Sequence, residues 1–279
     1  SLAGRKKIFE LYTLDFEEYL QFKTNDNSLL TEWEEIRKRD DYISLKRKEI
    51  QNHFNDYLTY GGYPSVVLEE DKEYKLEKLR ELYSSYIKRD ITDAGIQNPD
   101  KFFFLLRILA DQSGSLLNMN ELANTLKLSV VAIENYIYIL RKSYHIHLVK
   151  PFYRNIRKEL TKMPKLYFND LGLRNILLNQ FMLPELRLDK GQFIENYIFI
   201  RLRQLYDKDH IRYWRTAEGH EVDFVIAKHA NNGFAIEAKF NQAEVKKSKY
   251  KKFIGAYPGY PLHFRSYISD SNANNIIGL

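Results

Sequence analysis

The chain has 279 residues, of which 44% are hydrophobic and 29% charged, with no cysteine and a formal net charge of +6. This is the composition of a globular protein of two or three domains; it excludes an intrinsically disordered chain, a disulfide scaffold and any thiolate metal site. No apolar run approaches the roughly 18 residues of a membrane span, and no signal peptide pattern is present. A cysteine-free, soluble chain fits a cytoplasmic location, and the moderate positive charge permits a polyanionic partner without requiring one.

The first residues, SLAGR, lack an initiating methionine, and the chain reads as a fragment of something longer. From Ile8 to Phe22 an extended start turns helical near Leu14, where Asp15 can cap and Glu17 and Glu18 occupy the favoured first turn. Thr31 to about Tyr60 reads as one or two charged helices with sparse apolar positions such as Trp33, Ile36 and Phe54. Gly61-Gly62-Tyr63-Pro64 breaks the chain and marks a boundary. A helix follows from about Lys72 to Arg89, then a strongly apolar one from Phe102 to Asp111 after Asn98-Pro99-Asp100.

Between Asn118 and Phe168 the pattern changes. A short helix, ELANTLKL, is followed by Ser129 as cap of a second, VVAIENYIYILRKS. Alternation over Tyr144–Phe152, a charged tip RNIRKEL and a second run from Lys165 to Phe168 then read as a β-hairpin. Two helices, a tight turn and a hairpin make a winged helix-turn-helix. Its second helix would expose Glu134, Asn135, Tyr138, Arg141 and Lys142. That set opens on an acid, whereas base readout leans on arginine, lysine, asparagine and glutamine. A structural or docking role is therefore preferred over sequence reading. His145 and His147 read as half-buried or surface residues of the wing rather than as ligands. The segment LGLRNILLNQ, capped by Asn169-Asp170, makes one more helix.

The last region opens at Gly191 with QFIENYIFIRLRQLY, whose apolar stripe runs through Ile194, Tyr197, Ile198, Leu202 and Leu205. Glu195 lies beside that stripe, and a half-buried carboxylate must be paired or bound to a cation. Three strands follow: IRYWRT, EVDFVIAK and GFAIEAKF. Glu237 and Lys239, two apart, share one face of the third. With the turn near Ala230, Asp223 falls opposite Glu237, at a Cβ separation of roughly 5 Å where like charges repel. A divalent cation reverses the sign of that interaction, and hard oxygen ligands suit Mg²⁺ or Mn²⁺. Two readings stand: a solvent-facing ion-pair cluster of Asp223, Glu237 and Lys239, with Glu195 in a simple buried pair with Arg215 or Lys239, or a metal site. His220 reads as a turn residue. Lys246, Lys247, Lys249, Lys251 and Lys252 follow the third strand, either as a solvated face or as a phosphate-contacting one.

The order helical Glu195, hairpin Asp223, strand Glu237-Ala238-Lys239 resembles the PD-(D/E)XK nuclease superfamily, with Val222 where that motif has proline. Over nearly the full length, IFELYTLDFEEYL, YLTYGGYPSVV, YIKRDI, KLYFNDLGLRN, FIENYI, EGHEVDFVI and IEAKF resemble the AAA-type ATPases of archaea and bacteria that carry a C-terminal domain of unknown function. The resemblance implies an ATPase module, then a winged helix, then a nuclease-like fold. No G-x-x-x-x-G-K-[ST] occurs among the 12 glycines, so this chain cannot cradle nucleotide by itself, and ATP belongs to the intact parent. Arg5 and the next sixty residues would be the remnant of the module and its helical lid.

The expectation is a mixed α and β chain. An ATPase-lid remnant fills 1–60, a helical and winged-helix part 61–165, and a restriction-endonuclease-like α/β domain 166–279. Asp223 and Glu237 would hold Mg²⁺ or Mn²⁺, Lys239 would position or help to deprotonate the attacking water, and Glu195 would support a ligand or a second ion. The five lysines would meet nucleic acid, DNA by resemblance, and the missing ATPase module would supply any homo-oligomer. The alternative is a non-catalytic nucleic-acid-binding or docking platform built on the same fold.

Overall fold

A computed structural model describes residues 10–24, 27–39, 42–153, 162–229 and 232–268. The SLAGR start with Arg5, the RNIRKEL tip and the turn at Ala230 lie outside the described residues. The N-terminal part is helical: α1 (Phe16–Thr24), α2 (Asn27–Lys38), α3 (Arg47–Tyr60), α4 (Pro64–Val67), α5 (Lys72–Asp93), α6 (Pro99–Asp111), α7 (Met119–Leu126) and α8 (Val130–Lys142). Then come β1 (Ile146–Pro151), β2 (Lys165–Phe168), α9 (Leu171–Leu178), α10 (Lys190–Leu205), β3 (Ile211–Arg215), β4 (Glu221–His229), β5 (Asn232–Asn241), α11 (Lys251–Ala256) and β6 (Leu262–Ile268).

Helix starts follow local chemistry. Asp71 accepts from the amides of Glu73 and Tyr74 at 2.8 and 3.1 Å, opening α5, which runs one turn beyond the expected Arg89. Pro99 at the first turn starts α6 three residues before the apolar run, because a missing N–H costs nothing there. Asn118 and Ser129 cap α7 and α8, and Lys127 in the left-handed region (φ 51°) separates them. The lysine run splits into a 3₁₀ turn, Lys247–Tyr250, and α11, rather than one helix.

The Gly61-Gly62 break is a tertiary junction. A Cβ on Gly62 would lie 2.3 Å from the Leu14 carbonyl oxygen, and Gly61 has φ +79°. The buried Asp170 carboxylate, N-cap of α9, accepts from the Gly62 amide at 2.9 Å and the Leu173 amide at 3.0 Å.

The six strands form one mixed sheet of order β2-β1-β3-β4-β5-β6. β1 pairs antiparallel with β2 (Ile146↔Phe168) and parallel with β3 (Lys150↔Arg212), so the hairpin expected as a free wing continues the C-terminal sheet. The sheet therefore straddles the boundary expected at 165/166. Strands β5 and β6 are also parallel.

Both faces are covered. Phe193, Tyr197, Ile198 and Phe199 of α10 pack on Phe224, Ile226, Ile236 and Phe240, and this core continues into Phe16, Trp33 and Phe54 of α1–α3. Phe54 and Tyr197 meet edge to face at 5.0 Å, joining residues expected in separate modules. On the other face Phe253 of α11 packs with Trp214, Val222, Val225 and Ala235. A further core unites α5–α9 with β1 and β2.

Candidate functional site

One irregularity aims the site. Arg212 pairs with Val225 and Trp214 with Val222, so β4 carries one residue more than β3 across Asp223-Phe224. Such a bulge breaks the alternation of faces and re-aims side chains. Val222 accordingly joins the α11 core while Phe224 joins the α10 core. Asp223 stands at the bulge, nine-tenths buried.

The β4–β5 register runs as far as Phe224↔Ile236, so Asp223 and Glu237 are the next residues along the two strands. Each carboxylate reaches across the strand pair. Asp223 Oδ2 accepts from the Ala238 amide at 2.9 Å, and Glu237 Oε2 from the Asp223 amide at 3.3 Å. Lys239 Nζ donates to Glu237 Oε1 at 2.5 Å and to the Ala238 carbonyl at 3.0 Å. Tyr250, buried inside the lysine run, donates to Glu237 Oε1 at 2.8 Å. The five expected lysines themselves are exposed around it.

Glu195 enters from α10 and meets neither Arg215 nor Lys239 in an ion pair. Its partner is Lys165, the first residue of β2, which sequence reasoning did not assign to the site. Lys165 Nζ lies 2.8 Å from Glu195 Oε1 and 3.4 Å from Asp223 Oδ1, and also pairs with Glu221. Tyr167, two residues along β2, donates to Glu195 Oε1 at 2.6 Å. Gly114 (φ +83°) lines the same carboxylate, where a Cβ would stand 3.3 Å from Oε2. Asn196 locks α10 to β2 by accepting from the Phe168 amide and donating to its carbonyl, at 2.8 and 2.9 Å.

The available signal for Lys165 was a lysine opening a four-residue apolar strand, every position of which is buried. A fully buried ammonium needs carboxylates, and three surround it.

With every carboxyl ionised, Glu195, Glu221, Asp223 and Glu237 against Lys165, Lys239 and Arg215 would leave one excess negative charge, which a proton on Glu237 cancels. Burial, then the charge of Asp223, pushes Glu195 up to about 7 and Glu237 up to about 8, against the pull of their lysine partners. Burial alone would lower the two lysines. For Lys165 the Glu195 charge leads those that outweigh it, and for Lys239 the Glu237 charge does; both amines are held above their ordinary value. Lys239 is thus an ammonium at neutral pH, suited to orienting a water or offsetting anionic charge and unsuited to taking a proton.

Among the described residues no three His, Cys, Asp or Glu side chains are grouped as a metal-ligand set. Asp223 and Glu237 face each other, while Glu195 is joined to Asp223 through Lys165. The Asp223–Glu237 pair offers oxygen donors only, the kind a hard divalent ion takes, and Glu237 would have to give up its proton to serve as one.

Other expected positions resolve separately. Glu134, Asn135, Tyr138, Arg141 and Lys142 are exposed on α8. His145 pairs with the buried Asp90 at 2.8 Å, and His147 stacks on Phe199 and contacts Arg203 Nη1 at 3.1 Å. No described helix is long and apolar enough to cross a membrane.

Over 234 residues the chain is 28% identical to an uncharacterised protein of Methanocaldococcus jannaschii, an alignment covering 81% of this chain and 48% of that protein. It is 25% identical over 234 residues to an uncharacterised protein of Haemophilus influenzae, covering 81% of this chain and 52% of the other. A Mycobacterium tuberculosis protein, also uncharacterised, is 24% identical over 169 residues, 60% of this chain and 38% of its own length. The chain spans about half the length, or less, of these relatives. No solved structure matches it. Residues 51–183 match the family model described as domain of unknown function DUF8612. Residues 190–275, which hold Glu195, Asp223, Glu237 and Lys239, match that of domain of unknown function DUF4143.

Proposed function

We propose that the sheet and its two flanking helices form a nuclease-like unit that hydrolyses phosphodiester bonds in DNA with Mg²⁺ or Mn²⁺. The observation that carries this reading is the facing pair Asp223 and Glu237, buried on adjacent strands, with Lys239 at 2.5 Å from Glu237. Asp223 and Glu237 would hold the ion, which when bound makes water more acidic and offsets phosphoryl charge. Lys239, held charged, would orient the attacking water; its oxygen bonds to phosphorus as the ester P–O bond breaks, the water's proton passing to solvent and the leaving oxygen taking one from solvent. Lys165 fixes Asp223 and Glu195 relative to each other, and Glu195 supports the cluster from α10.

Helices α7 and α8 with the β1–β2 hairpin serve as a winged helix that positions the nucleic acid. The exposed lysines from Lys246 to Lys252 contact phosphates beside the site, tied to it through Tyr250 and Glu237. The chain is the C-terminal part of a cytoplasmic AAA-type ATPase, whose missing module binds ATP and supplies any oligomer.

A specific observation favours a second reading, a non-catalytic nucleic-acid-binding or docking platform. The ammonium of Lys165 already stands between Glu195, Glu221 and Asp223, as in a closed internal ion network. Plasmid nicking separates the two. The hydrolytic reading requires Mg²⁺- or Mn²⁺-dependent nicking that Lys239→Ala abolishes. Equal nicking by Lys239→Ala marks a contaminant, and DNA retention without nicking leaves the platform.

A further inference from the structure

A second charged site lies where α8, β1 and α10 converge, outside the acidic cluster. A cavity of about 370 Å³ is bounded there by Arg141 and Lys142 at the end of α8, Tyr144, His147 on β1, Arg203 on α10 and Lys208. Its described lining includes a single acid, Glu10, contributed by the segment before α1. The Glu10 carboxylate is held as an anionic ligand would be. Lys208 Nζ lies 2.5 Å from Oε1, Arg203 Nη2 3.5 Å from Oε2, and the Tyr144 hydroxyl donates to Oε1 at 3.5 Å, with Tyr12 donating to Oε2.

The arginine is built in rather than draped. Arg203 is nine-tenths buried, and its Nη1 is fixed against His147 Nδ1 at 3.1 Å and Asn169 Oδ1 at 3.2 Å, with the guanidinium over the Tyr12 ring. A buried guanidinium whose fork is pre-set in this way is a recognition device for planar or tetrahedral oxyanions. Burial, then the charges of Arg203, Arg141 and Lys208, keeps the His147 imidazole neutral, so it adds no charge of its own.

Four cations thus meet one carboxylate. Among the described residues Arg141 and Lys142 are in no ion pair, and Lys142 rests over the Tyr138 ring. A carboxylate fills neither the charge nor the volume. A phosphate group carries up to two charges and three acceptor oxygens, which suits two further cations.

We propose that this cavity binds the phosphate group of a phosphate ester, and that Glu10 is a resident carboxylate which the phosphate displaces. The site is independent of the metal reading: it needs no hydrolysis and shares no residue with the acidic cluster.

Calorimetric titration of the whole chain with inorganic pyrophosphate at constant ionic strength tests it. Glu10→Gln, which keeps the shape and removes the competing charge, is expected to tighten binding about tenfold, and Arg141→Gln/Lys142→Gln to weaken it about tenfold, each tenfold change corresponding to about 1.4 kcal/mol. The paired α8 variant alters exposed residues only, so it remains informative should Glu10→Gln unfold the chain. A second arm uses a short single-stranded DNA. Oligonucleotide binding that responds to the same variants assigns a nucleic-acid backbone phosphate, and pyrophosphate binding without it assigns a small phosphate compound. Pyrophosphate binding that is undetectable, or that none of these variants changes, overturns the proposal.

Discussion

The Lys165 ammonium lies 2.8 Å from the Glu195 carboxylate, although one residue opens a strand and the other sits on a helix 30 positions away. Lys165 also touches Asp223, so one side chain fixes the helix acid and the strand acid in a common frame. Replacing it with methionine leaves buried carboxylates without their cation. Lys165→Met is expected to lower stability by about 3–5 kcal/mol in urea unfolding. Adding Glu195→Gln to that variant should restore part of the loss, because one of the stranded charges is removed. A loss under about 1 kcal/mol, the range of an exposed pair, would contradict the role given to Lys165.

The pH dependence of stability follows from Glu237. Its carboxyl rises from 4.5 to about 8 because of burial and the Asp223 charge. Between those values the folded chain holds a proton that the unfolded chain has released, so this contribution to stability is full below about pH 4.5 and is lost as pH rises through about 8. In EDTA, Glu237→Gln should flatten the fall in melting temperature between about pH 5 and 8. An unchanged slope would show that Glu237 ionises normally.

For the hydrolytic reading, Lys239→Ala should reduce Mn²⁺-dependent cleavage of plasmid DNA by at least about 10²-fold, the scale of losing one transition-state donor. Lys239→Arg keeps the charge and should retain part of the activity. Cleavage at the wild-type rate in Lys239→Ala would mark the activity as a contaminant's and leave the hydrolytic reading without support.

The exposed lysines make a prediction about salt. If three of them contact phosphates, Lys246→Gln/Lys247→Gln/Lys249→Gln should reduce the slope of log K against log[salt] by about 2–3 in duplex DNA binding. A slope equal to that of the parent chain would show a solvated face.

The strand pair was legible because alternation in EVDFVIAK and GFAIEAKF fixes which residues share a face, and a short turn then sets Asp223 opposite Glu237. Lys165 was not, since the sheet brings it to Asp223 across 58 positions through the parallel pairing of β1 with β3. Alternation within a hairpin says nothing about a distant parallel neighbour. For the same reason the β1–β2 hairpin reads locally as a free wing yet lies inside a six-stranded sheet. The bulge at Asp223-Phe224 left no mark in composition; no glycine or proline flags it. Likewise α1–α3 look poor in apolar positions, but Phe16, Trp33 and Phe54 are fully buried in one core with α10, Phe54 meeting Tyr197 edge to face. Their few large rings carry the contact that many small residues would otherwise make.

The most direct test is anomalous diffraction from crystals soaked in Mn²⁺. A peak is expected between the Asp223 and Glu237 carboxylates, and it should disappear in Asp223→Asn. A map from a saturating soak with no peak there, and with Lys239 still bonded to Glu237, would contradict the metal site and leave the ion network closed.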